Sequence, residues 1–120
     1  MKKNARYDVV GIGNAIVDVI AQAEDDLLMR LGLHKGGRKL IDESKSAQIY
    51  NQMGPATISS GGSAANTMVG MASLGGKAAF VGKVRDDESG HSFKHDIEKA
   101  GVDFSTGPNA GQAPTAHCLV

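Results

Sequence analysis

The chain has 120 residues, the length of one small domain, which can bury roughly two-thirds of its unfolded surface. Its 13 Lys and Arg balance its 13 Asp and Glu, Trp is absent and aromatic residues make up 4%. That excludes a basic face for a nucleic-acid backbone and a stacking platform for single strands.

Tyr7 to Ile12, rich in Val and Ile, predicts a buried strand. Gly13-Asn14 turns the chain, and Ile16 to Ala21 predicts a second strand. Lys2, Lys3 and Arg6, followed by an apolar run and Ala21-Gln22-Ala23, imitate a secretory leader. Asp8 and Asp18 interrupt that run, and Gly11, Gly13 and Asn14 would break its helix, so it reads as two strands. Glu24 to Leu31 is a short amphipathic helix with an acidic start and Gly32 beyond its end. His34 to Gly37 is a turn, and Arg38 to Ile41 is strand-like. Asp42 caps a helix from about Glu43 to Met53, which Gly54-Pro55 ends.

Ala56 to Ser60 is strand-like, and Ser63 to Leu74 is a helix of small residues. Lys77 to Val84 is the next strand. Asp86 or Asp87 caps a helix to about Ala100, with Gly101 following it. Val102 to Phe104 is a short strand, Ser105 to Pro114 a polar loop, and Thr115 to Val120 a last strand. The chain thus stops in a strand, as expected of the N-terminal part of a longer protein. No segment is long enough to span a membrane. The single cysteine, Cys118, cannot close an internal disulfide, which favours a reducing, cytoplasmic setting.

Ser60-Gly61-Gly62-Ser63-Ala64-Ala65-Asn66-Thr67 carries the most chemistry. A strand enters it and a helix leaves it, so backbone N–H groups and the Asn66 amide gather at the positive end of a helix. Glycines 61 and 62 let a ligand approach the main chain. Such a place suits a polyhydroxyl or anionic small molecule. Asp18 lies between Val17 and Val19; if those face a core, its carboxylate faces the other way and can accept vicinal hydroxyls.

Three other motifs carry less. Gly11-Ile12-Gly13-Asn14-Ala15-Ile16 lacks the third glycine of a dinucleotide fingerprint and leads into a strand where that site needs a helix. Gly61-Gly62-Ser63-Ala64-Ala65 is one residue from the nucleophile elbow of a serine hydrolase, with Ala65 for the last glycine and no buried apolar strand before it. Glu88, His91 and His95 share a helix face that could hold a metal, but charge surrounds them and the face reads as solvated.

Three stretches together resemble the ribokinase-like sugar and nucleoside kinases, the PfkB family. They are Gly11-Ile12-Gly13-Asn14-Ala15-Ile16-Val17-Asp18, then Gly61-Gly62-Ser63-Ala64-Ala65-Asn66, then Leu74-Gly75-Gly76 leading to Phe80-Val81-Gly82-Lys83-Val84-Arg85-Asp86-Asp87-Glu88-Ser89-Gly90. Their spacing agrees across nearly the whole chain. Met68 and Arg85 depart from the commoner small residue and glycine. The resemblance implies an α/β fold: a ribokinase-like central sheet with helices on both faces plus a small β lid. Residues 1–120 would be the N-terminal part of one kinase domain, with lid segments at about 19–41 and 115–120.

It also implies ATP-dependent phosphorylation of a hydroxymethyl group on a sugar or nucleoside, with the Gly-Asn and Ala-Ala-Asn-Thr runs closest to the adenosine kinase branch. Asp18 and Asn66 would hold ribose-type hydroxyls. Gly61 and Gly62 would supply hinge and backbone contacts, and Asn14 would lie near the base or anomeric side. The catalytic Asp of a Gly-x-Gly-Asp motif and most of the site for ATP with Mg are expected beyond residue 120, so the chain alone should not turn over. Lid strands of such kinases can pair two subunits as a homodimer. The alternatives are a non-catalytic sugar- or nucleoside-binding module and, more remotely, a serine hydrolase at Ser63.

Overall fold

The computed structural model describes residues 4–120, so Lys2 and Lys3 of the leader-like stretch lie outside the described residues. Short β-branched or small-residue runs form β1 (Val9–Ile12), β2 (Ile16–Ala21), β3 (Ala56–Gly61), β4 (Ala78–Val81) and β5 (Ala116–Leu119). The helices are α1 (Asp25–Arg30), α2 (Glu43–Gln52), α3 (Ser63–Ser73) and α4 (Glu88–Lys99). β1 and β4 form a parallel pair in the register Val9↔Ala78 to Ile12↔Val81. β2, β3 and β5 form a second sheet in the order β3-β2-β5. The architecture is mixed α/β, as the sequence predicts.

The residues fall into two compact units. One runs up to Asp18 and resumes over Ser59–Cys118. Parallel strands need a crossover, and here α3 packs against both β1 and β4. The core of this unit gathers all three phenylalanines of the chain. Phe80, Phe93 and Phe104 are each no more than 1% exposed, with ring centroids 5.3–6.0 Å apart. Ala15, Val17, Ala65, Met68, Ile97 and Val102 close around them. On α4, Gly90, Phe93 and Ile97 are buried at helical spacing, so one stripe faces the core. Met68 is accommodated by Gly11, where a Cβ would stand 2.8 Å from the Met68 Cγ. The departure from a small residue at 68 is thus matched by a glycine on the facing strand.

A polar cluster fixes the start of α4 and the approach to β5. Asp87 caps α4 by accepting from the Gly90 N–H at 2.7 Å. Its carboxylate also accepts from the Thr115 N–H at 2.9 Å and the Thr115 hydroxyl at 2.7 Å. The Thr115 hydroxyl in turn accepts from the Arg85 N–H at 2.9 Å. Burial pushes the Asp87 carboxyl up, but the hydrogen bonds from Thr115 and Gly90 and the Arg85 charge outweigh it and hold it below the usual carboxylate range.

The other unit comprises Val19–Ile58 and Leu119–Val120. α1 is short and buries no residue; it has Asp25 and Asp26 in its first turn and Arg30 in its last. Asp42 caps α2, its carboxylate accepting from the Lys45 N–H at 2.7 Å. Ser46 and Ile49 are the buried positions of that helix.

Arg38 to Ile41, expected to be strand-like, forms no strand. Among the described residues, the β3-β2-β5 sheet gives it no neighbour, and Leu40 is 100% exposed. A run this short without a partner has no ladder to join. The strand expected over Lys77 to Val84 is only Ala78–Val81, and the buried Gly82 follows it, where a Cβ would meet the Phe80 ring at 2.5 Å. Val102 to Phe104 contributes a single parallel bridge, Ala79↔Asp103.

Candidate functional site

β2 presents Asp18 by strand alternation. Its neighbours Val17 and Val19 are 0% and 5% exposed, while Asp18 is half-buried. β3 delivers Gly61 directly against it. A Cβ on Gly61 would lie 2.5 Å from Asp18 Oδ2 and 2.8 Å from its Cγ. Gly62 is the N-cap of α3, at φ 96° and ψ 134°, in the region that favours glycine. A Cβ there would stand 2.7 Å from the Asn14 carbonyl oxygen. The helix begins at once, as the Asn66 N–H donates to the Gly62 carbonyl at 2.9 Å. Asn66 is exposed one turn into α3, and Asn14 is exposed between β1 and β2.

Asn14, Asp18, Gly61 and Gly62 therefore meet in one unit, with Asn66 a turn away. The glycine pair has a demand on it beyond ligand approach: the space a side chain would take is already held by Asp18 and by the Asn14 carbonyl.

Sequence reasoning missed one contact at this place. The Ser60 N–H donates to Asp96 Oδ2 at 3.2 Å, joining the residue before Gly61 to α4. Ser60 and Asp96 are 36 positions apart, and no local motif marks the pair.

The weaker motifs resolve differently. β1 is followed after three residues by strand β2, so no helix starts behind Gly11-Ile12-Gly13 as a dinucleotide site requires. Ser63 is the exposed first residue of α3. Glu88, His91 and His95 are exposed on α4, with His91 Nε2 2.6 Å from Asp86 Oδ1. Among the described residues, no three His, Cys, Asp or Glu side chains are grouped to hold a metal ion. No helix among them is long and apolar enough to cross a membrane.

Comparison with known proteins covers nearly the whole stretch. Adenosine kinase from Sinorhizobium meliloti is 51% identical with a TM-score of 0.85, and the match covers 96% of this chain and 35% of that one. A structure described as a probable sugar kinase from Rhizobium etli is 45% identical with a TM-score of 0.85, covering 95% of this chain and 34% of that one. The 5-dehydro-2-deoxygluconokinase of Clostridium perfringens is 49% identical over 100 residues, which are 83% of this chain and 23% of that enzyme. The chain thus spans about a third of the length of these solved kinases and about a quarter of the curated one. The pattern of the pfkB family carbohydrate kinases matches residues 8–120. With the first two of the three motif stretches brought together by the fold and the match running through all the elements, the chain belongs to the pfkB family of carbohydrate kinases and has its ribokinase-like α/β fold.

Proposed function

We propose that this chain supplies the acceptor-binding part of an ATP-dependent phosphotransferase acting on a hydroxymethyl group of a sugar or nucleoside. The observation that carries this reading is the approach of Asp18 to Gly61 beside the N-cap Gly62. A carboxylate held against a strand end accepts two hydroxyls at once, and the Asn66 amide adds a donor and an acceptor a turn further on. Phosphoryl transfer is catalysed mostly by positioning and charge stabilisation, so anchoring the acceptor is a large part of the task. In this reading Asn14 faces the base or anomeric side. Residues 1–120 are the N-terminal part of one kinase domain, and segments 19–41 and 115–120 belong to a lid that excludes water.

Adenosine is the favoured acceptor, supported by 51% identity to the Sinorhizobium adenosine kinase. The 49% identity to a deoxygluconokinase supports a sugar acceptor as the second reading. No Gly-x-Gly-Asp occurs in these 120 residues. The catalytic base and the main contacts to ATP with Mg are proposed to lie in the rest of the kinase, and pairing of lid strands would give a homodimer. The setting is cytoplasmic and the partners are small molecules. A Gly-x-Gly-Asp downstream in the parent gene would separate this kinase from a binding module without transfer.

The test is Asp18→Ala in the full-length parent. Losing hydrogen bonds to a charged group costs about 1.5–3 kcal/mol, so kcat/KM for the best acceptor should fall by about ten- to a hundredfold or more. A variant with wild-type kcat/KM would remove Asp18 from the site.

A further inference from the structure

β3 ends the β3-β2-β5 order, so on its outer side no strand among the described residues receives its N–H groups. At Ser60 that role is taken by a side chain: the N–H donates to Asp96 Oδ2 at 3.2 Å. α4 holds this acceptor in place, because Phe93 and Ile97 on its buried stripe are 0% and 1% exposed. The other Asp96 oxygen lies 3.4 Å from His95 Nδ1, and the Asp96 side chain is 39% exposed. One residue past Ser60, Gly61 has no room to spare: its missing Cβ would stand 2.5 Å from the Asp18 carboxylate. The position of β3 at Ser60 therefore sets the gap in which that carboxylate sits.

We infer that Asp96 is a positioning residue for Asp18, acting through the Ser60 N–H and the Gly61 step of β3. The inference rests on the reading of Asp18 as the anchor of the acceptor. Asp96 touches neither acceptor nor phosphate; it supplies a charged acceptor where the sheet edge lacks a strand, and so fixes the distance between two strands that meet at the site.

The test uses the full-length parent, with Asp96→Ala and Asp96→Asn followed by NMR in the absence and presence of adenosine or fructose. In Asp96→Ala the Ser60 amide should exchange about tenfold faster, and the Gly61 amide and Asp18 carboxyl signals should shift while the Phe93 and Phe104 ring signals stay. Adenosine affinity should fall about tenfold. Asp96→Asn keeps an oxygen that accepts from Ser60 and should stay near wild type. A folded Asp96→Ala chain with unmoved Gly61 and Asp18 signals overturns the inference. If that variant does not fold, Asp96→Ser decides: its shorter side chain cannot reach the Ser60 N–H, so the Ser60 and Gly61 amide signals must move together, and static signals overturn the inference. Shifts at Asp18 without binding of either compound by the wild type would uphold the positioning role and remove the functional reading instead.

Discussion

At the scale of single residues, the crowding around Gly61 and Gly62 comes from the chain itself. A methyl group at 61 would press on the Asp18 carboxylate, and one at 62 would press on a carbonyl at φ 96°. Gly61→Ala should therefore lower stability by about 1–3 kcal/mol, as overpacking does, and displace Asp18 as well. Gly62→Ala should cost about as much through backbone strain, before any ligand is added. Urea unfolding of both variants checks this. A Gly62→Ala chain as stable as the wild type would mean that the pair serves ligand approach alone.

At the scale of elements, the Asp87–Thr115 cluster predicts a pH dependence. The folded carboxyl titrates below its unfolded value, so its stabilising contribution is present above the ordinary Asp range, near about pH 4, and is lost as pH falls through the lower folded value. Thr115→Val removes the hydroxyl that both donates to Asp87 and accepts from the Arg85 N–H. It should destabilise the chain at neutral pH by about 1–3 kcal/mol. The gap to wild type should narrow as pH falls through the folded Asp87 value, which thermal melts across that range would follow. A constant gap would separate the Thr115 contribution from Asp87 ionisation.

The helix caps are legible in the sequence because they are local: Asp42, and Asp87 as one of two candidates with Asp86, each cap through the N–H three residues on. β2 was legible too, its bounds at Ile16 and Ala21 following the apolar run. Arg38 to Ile41 is strand-like in composition but forms no strand, because a strand is defined by a neighbour, which composition does not reveal. Resemblance rather than spacing put Asp18 and Gly61 in one expected site, since they stand 43 positions apart; their direct approach came from the fold. The Ser60–Asp96 bond had no signal at all, being made by a backbone N–H that any residue would provide.

At the scale of the whole molecule, the matched 96% of the chain covers 35% of the Sinorhizobium adenosine kinase. The purified chain should show no ADP release with adenosine, ribose or fructose in a coupled assay; sustained turnover would place the catalytic base among these residues. The composition also takes on a meaning at this scale. Of the 16 glycines, those at 11, 13, 61, 62, 82 and 90 each face an atom of another segment that a Cβ would approach to 3.0 Å or less, whereas 54, 70 and 107 have open space and ordinary φ. Random mutagenesis under selection for a folded chain should therefore split the glycines into a fixed class and a freely drifting one. Gly70 is exposed within α3, where alanine is the better helix former by about 1 kcal/mol. Gly70→Ala should raise the melting temperature by several degrees, which makes a position that would otherwise drift a starting point for engineering a hardier chain.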